Sequence, residues 1–181
     1  MAVYQPIAPY QNGTAHFQVN NMGIINHYFS VKNIQKYSWK YGKENVRSFL
    51  FFHNKFIPGF YETYLPESFL KDTFSELWNK EEKILDQTVH SKFRNDSDTS
   101  ERLFRDWQLA SGKFYPRNND KFGKLLGLSD NNNHIWKAIK YSPYKILCVN
   151  DNADLTNTDL IQKQFLSALD YKLSEKSSFE I

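Results

Sequence analysis

Lys145-Ile146-Leu147-Cys148-Val149 is a short apolar, β-branched run that stops on two polar residues, Asn150 and Asp151. A run of that length and content reads as an interior strand, and α/β folds present ligand-binding groups just beyond the carboxyl ends of such strands. Leu160, Ile161, Phe165, Leu166 and Leu169 then recur at helical spacing, so the segment reads as strand, loop, helix. Ser174-Glu175-Lys176-Ser177-Ser178-Phe179-Glu180 follows, either a solvated tail or a specific signature.

Upstream, helix dominates. The first 19 residues, with Pro6, Pro9, Asn12 and Gly13, read as extended chain and turns. A helix is expected from Asn20 to Tyr37, capped by Asn20 or Asn21, with Met22, Ile25 and Phe29 on its apolar face. Lys36 to Lys43 interleaves cations and aromatics, which suits a snorkelling helix end better than stacking on RNA. Ser48 to His53 is apolar and either strand or buried helix.

Pro66 fits the first turn of a helix whose stripe is Phe69, Leu70, Thr73, Phe74, Leu77 and Trp78, ending near Asn79 or Lys80. Thr88 to Asp96 reads as a polar linker. Asp98-Thr99-Ser100-Glu101 has the capping-box pattern, Leu103, Phe104, Trp107 and Ala110 follow on one side, and Gly112 is the expected stop. Arg117–Asp120 and Asp130–Asn133 read as turns around Phe122, Leu125 and Leu126, and His134 to Tyr141 as a helix stopped by Pro143. The predicted fold class is α+β, helix-dominated, with a few short strands.

The 181 residues suit one domain or part of one. A net charge of +3 suits anionic small ligands or a membrane surface and is far from a nucleic-acid footprint. The single cysteine, Cys148, cannot form an internal disulfide, and its apolar neighbours predict a buried, inert thiol in a reducing compartment. The first residues do not read as a secretory signal, and no run approaches the roughly 20 apolar residues of a membrane span. The expected location is therefore cytoplasmic. There is no phosphate-cradling glycine loop, no metal-type Cys/His spacing and no Gly-x-Ser-x-Gly elbow.

An ordered set of residues stands out instead: Asn20-Asn21-Met22-Gly23-Ile24-Ile25-Asn26; Leu65-Pro66-Glu67-Ser68-Phe69-Leu70-Lys71 with Thr88 and Phe93-Arg94; Cys148-Val149-Asn150-Asp151; and Lys176-Ser177-Ser178-Phe179-Glu180. In that order and spacing these resemble the C-terminal portion of the Stealth family of sugar-1-phosphate transferases, which includes bacterial capsular and exopolysaccharide phosphotransferases. The resemblance covers nearly the whole chain. It matches the family's third conserved region in a helical part, residues 20–112, and its fourth in a strand-loop-helix part, residues 145–181. It implies residues 1–181 as a single partial catalytic domain, the C-terminal part of an α/β nucleotide-sugar transferase.

The implied reaction is transfer of sugar-1-phosphate from a nucleotide sugar to a glycan hydroxyl in capsule or exopolysaccharide biosynthesis. Charge then accumulates on phosphoryl oxygens, and such a site needs a guanidinium or metal and a base. By resemblance Arg94 is the functional arginine, with a planar fork suited to phosphate. Asn150, Lys176 and Ser178 fall at substrate-binding positions, and Asp151 at the position for a divalent cation, magnesium being the implied ion.

Three departures bear on activity. Tyr64 occupies the family's histidine position and, with an ordinary pKa near 10, is a poor base at neutral pH. Ser174 stands where the family has proline. The first two conserved regions are absent, and no Asn-Asp-Asp run occurs anywhere in the sequence. The expectation is a chain inactive alone, completed by a segment or partner carrying those regions and peripheral at the inner face of the membrane. The alternative is a non-catalytic glycan-binding or scaffold remnant.

Overall fold

A computed structural model describes residues 15–34, 50–51, 53–115, 117, 119–151 and 155–179. In chain order the elements are α1 (Ala15–Tyr28), α2 (Lys71–His90), α3 (Arg102–Ala110), the single turn α4 (Asn119–Phe122), β1 (Gly123–Gly127), α5 (Asn133–Tyr141), β2 (Ile146–Asn150) and α6 (Thr158–Lys172). Helices with one small parallel sheet make this the α+β, helix-dominated fold expected. Contacts divide the chain into two compact units, residues 1–62 with 66–116, and residues 63–65 with 117–181.

The first unit is built around α3. Leu103, Phe104, Trp107 and Ala110 lie on one side of its nine residues and are all buried, the face predicted for it. Trp107 meets the rings of Tyr28 and Phe29 edge-on at 5.0 and 4.9 Å, and Phe104 stacks on Phe74 at 3.8 Å. Gly112 follows at φ 75°, the left-handed conformation glycine adopts at little cost after a helix.

Two helices differ from expectation. α1 begins at Ala15, so residues 15–19 are helical rather than extended and neither Asn20 nor Asn21 is its cap. The helix ends at Tyr28, while residues 35–43 of the expected extension and cation-aromatic stretch lie outside the described residues. α2 starts at Lys71, leaving Pro66 in irregular chain, and runs on to His90 through a non-helical residue at Glu81 (φ −128°, ψ 30°). The predicted end near Lys80 is thus a kink. Buried Leu85 and half-buried Ile84 carry the apolar stripe past it, and the expected linker from Thr88 begins as helix.

The second unit is a β-α-β-α run. β1 and β2 pair in parallel, Gly123 opposite Ile146 through to Gly127 opposite Asn150. Leu126, Ile135, Ile139 and Ala168 form its core, with Leu147, Val149, Phe165 and Leu169 packed against them. β2 lies within one residue of the expected strand, but its apolar residues are half-buried rather than enclosed. α4 begins inside the turn expected at Arg117–Asp120, and β1 takes up Leu125 and Leu126, which the two expected turns flank.

Among the described residues no helix is long and apolar enough to cross a membrane.

Candidate functional site

Arg94 belongs to the first unit, in the loop between α2 and α3, and is exposed. The loop is held by side chains. The Asp98 carboxylate accepts from Ser91 Oγ at 2.8 Å and from the Asn95 amide at 2.9 Å. Asn20 of α1 donates to the carbonyls of Asp96 and Asp98, both at 2.8 Å. The Arg94 guanidinium then lies 5.7 Å from the centre of the Phe17 ring, within cation-π range. A guanidinium carried on a fixed loop, with one face on an aromatic ring, keeps its N–H edge for an anion.

Asn21, Asn26 and Thr88, also from the first two motifs, bind backbone groups. Asn21, fully buried, bonds Ser100 twice. Asn26 donates to the Ile57 carbonyl at 3.0 Å and accepts from its amide at 2.7 Å. Thr88 Oγ1 donates to the Ile84 carbonyl and meets Thr99 Oγ1 at 3.3 Å. Asp98 serves the preceding loop, so the capping box does not form; Glu101 takes the cap position without a side-chain bond.

A charged cluster that sequence reading missed holds Tyr61, Glu62 and Glu67 against α3. Arg105 places Nη2 on the Tyr61 carbonyl at 2.7 Å, Nε 3.0 Å from Glu67 Oε1 and Nη1 3.3 Å from Asp106 Oδ1. Arg102 pairs with Glu62, which also accepts from Gln18 at 2.9 Å. Gln108 of the same helix accepts from the Leu70 amide and donates to the Ser68 carbonyl. Burial pushes the Asp106 carboxyl up to about 8 and raises Glu67 as well, with Arg105 opposing both. Charges at 102, 105 and 106 on a helix otherwise lined by Leu103, Phe104 and Trp107 were the available signal.

In the second unit the carboxyl ends of β1 and β2 form a rim. The Leu128 amide donates to the Asn150 carbonyl at 2.8 Å, continuing the ladder past the strand. Asp130 Oδ1 accepts from Thr156 Oγ1 at 2.9 Å and its amide at 3.2 Å, tying the loop after β1 to the loop before α6. Asn150 and Asp151 are exposed at the end of β2, the position predicted for them. Lys176 and Ser178 are exposed beyond α6; among the described residues no hydrogen bond or ion pair joins them to Asn150 or Asp151. Tyr64 is in this unit and 63% exposed. Arg94 and Tyr64, each given a catalytic position by the resemblance, belong to different units.

An amide oxygen and a carboxylate are donors that magnesium accepts when phosphate and water complete its shell. Among the described residues no three His, Cys, Asp or Glu side chains gather as a metal set. Asn150 and Asp151 offer oxygen donors of the kind the implied ion takes, without a third ligand gathered beside them among the described residues.

Comparison with known proteins agrees with the resemblance seen in the motifs. Over 181 residues the chain is 41% identical to the receptor polysaccharide phosphotransferase WefC of Streptococcus oralis, covering 97% of this chain and 54% of that protein. The chain is a homologue of part of the polysaccharide phosphotransferases. It is also 40% identical to the capsular polysaccharide phosphotransferase WcwK of Streptococcus pneumoniae, with the same coverage. The exopolysaccharide phosphotransferase cps2G of Lactiplantibacillus plantarum is 29% identical, over 99% of this chain and 54% of that protein. The chain thus spans about half the length of the polysaccharide phosphotransferases it matches, consistent with a C-terminal fragment of them. No family model and no solved structure matches it.

Proposed function

We propose that the chain is the C-terminal part of a polysaccharide phosphotransferase that moves sugar-1-phosphate from a nucleotide sugar to a glycan hydroxyl and is inactive by itself. The observation that carries this reading is identity of 36–41% to WefC and WcwK proteins across 97–98% of the chain. Arg94, exposed on its braced loop, would bind the transferred phosphate and offset charge as it develops. Asn150, Lys176 and Ser178 would contact the donor. Asn150 and Asp151 would hold magnesium, which supplies neutralising charge to the phosphates. Tyr64 would donate a hydrogen bond to the acceptor or the donor.

A second reading is a glycan-binding or scaffold module without chemistry. Release of nucleoside monophosphate from nucleotide sugars separates the two. The first reading expects no release by the chain alone and release when the portion of a WefC relative that it does not span is added, with glycan acceptor and magnesium. Turnover by the chain alone would contradict its inactivity. No turnover with that portion present, together with glycan binding that survives Arg94→Ala, would establish the second.

A further inference from the structure

The composition of β2 does not match its place in the sheet. Ile146-Leu147-Cys148-Val149 is a continuous apolar run, the pattern of a strand inside a parallel sheet, with neighbours on both edges. β1, Gly123-Lys124-Leu125-Leu126-Gly127, carries a lysine and two glycines and reads as an edge. Yet among the described residues the sheet has these two strands alone, and all four apolar residues of β2 are only half-buried.

Edge strands are normally blunted by charge, proline or a bulge. β2 has no charged residue and no proline, and its register with β1 runs unbroken over five pairs, without a bulge. A strand edge so unprotected is a template for another strand. The phosphotransferase relatives supply the candidate, since nearly half of WefC lies outside the stretch this chain matches.

We propose that an extended segment from that unmatched portion pairs along the edge of β2 facing away from β1. The proposal rests on the reading of the chain as one part of a larger phosphotransferase. It would place Asn150 and Asp151 at the end of a central strand, in the crevice where open α/β sheets bind ligands, rather than at the sheet's rim.

The test mixes the purified chain with a polypeptide comprising the unmatched portion of Streptococcus oralis WefC and follows amide hydrogen exchange. A complex is expected in which Ile146–Asn150 exchanges roughly tenfold or more slowly, with a smaller change in Gly123–Gly127. A complex with unchanged exchange in β2 would overturn the strand pairing and leave the two-part reading standing. No complex would overturn both. Concentration-dependent protection of β2 in the chain alone would assign the edge to a second copy and overturn the proposal.

Discussion

Asn21 and Ser100 are joined by two hydrogen bonds, Asn21 Nδ2 donating to Ser100 Oγ at 3.0 Å and Asn21 Oδ1 accepting from the Ser100 amide at 3.2 Å. The asparagine is fully buried, so water cannot replace either bond. Asn21→Ala should cost about 1–3 kcal/mol by stranding the Ser100 amide. Asn21→Asp keeps the acceptor, loses the donor and buries a charge, and should cost more. Urea unfolding of both variants checks this order, and an alanine variant as stable as the parent would contradict it.

Gly23 lies on the same helix with nothing within 4 Å of where a Cβ would stand, and it is exposed. Glycine inside a helix lowers stability through the freedom it has when unfolded. Gly23→Ala should therefore stabilise the chain by about 0.5–1 kcal/mol. A loss on thermal melting would mean that the position is more crowded than its surroundings indicate.

Both residues show what could be read from sequence and what could not. The apolar faces of α3 and α6 are periodic, so the sequence alone places Trp107 and Phe165 on helices. Asn21, Asn26 and Thr88 drew attention as a motif, yet their partners Ser100, Ile57 and Thr99 are up to 79 residues away, a distance no local pattern encodes. The capping box failed because Asp98 found Ser91 and Asn95 as better partners. Gly123–Gly127 has no strand pattern of its own, with a lysine and two glycines around Leu125 and Leu126, and only pairing with β2 makes it a strand. Of the candidate site, Asn150 and Asp151 were legible from the end of the strand, whereas the tie of the Arg94 loop to Asn20 spans 76 and 78 residues and is not.

One of those glycines has a second role. A Cβ on Gly123 would lie 2.7 Å from Leu65 Cδ2 and 2.8 Å from the Ile146 carbonyl oxygen, its partner across the sheet. The leucine can move and the carbonyl cannot without breaking register. Gly123→Ala should destabilise the chain by about 1–3 kcal/mol, and adding Leu65→Ala should not restore stability. Full recovery in the double variant would show that the side chain alone sets the limit.

Asp106 gives a pH dependence of unusual sign. Its carboxyl is only 2% exposed and is pushed up to about 8 by burial, against an ordinary value near 4. A proton held more tightly in the folded state contributes stability that is complete below that ordinary value and lost as pH rises to about 8. The parent should thus lose stability across this window, and Asp106→Asn, neutral throughout, should show a shallower decline. Glu67, raised in the same direction, keeps part of the slope in the variant. Melting curves from about pH 5 to pH 8 test this; equal slopes would rule out Asp106 as the source.

Arg94 separates chemistry from stability because it is exposed while Asp98, which ties its loop, is buried. Arg94→Lys retains the charge but loses the planar fork, so in the chain supplemented with the unmatched portion of WefC turnover should fall about 10- to 100-fold. The melting temperature should stay within a degree or so, as expected for a surface substitution. Phe17→Leu removes the ring beneath the guanidinium and leaves the charge, so it should give a smaller fall. Asn20→Ala frees the carbonyls of Asp96 and Asp98 and should lower both turnover and stability, because it loosens the loop itself. Arg94→Lys at full turnover would remove the arginine from the phosphate site, whatever became of the other two variants.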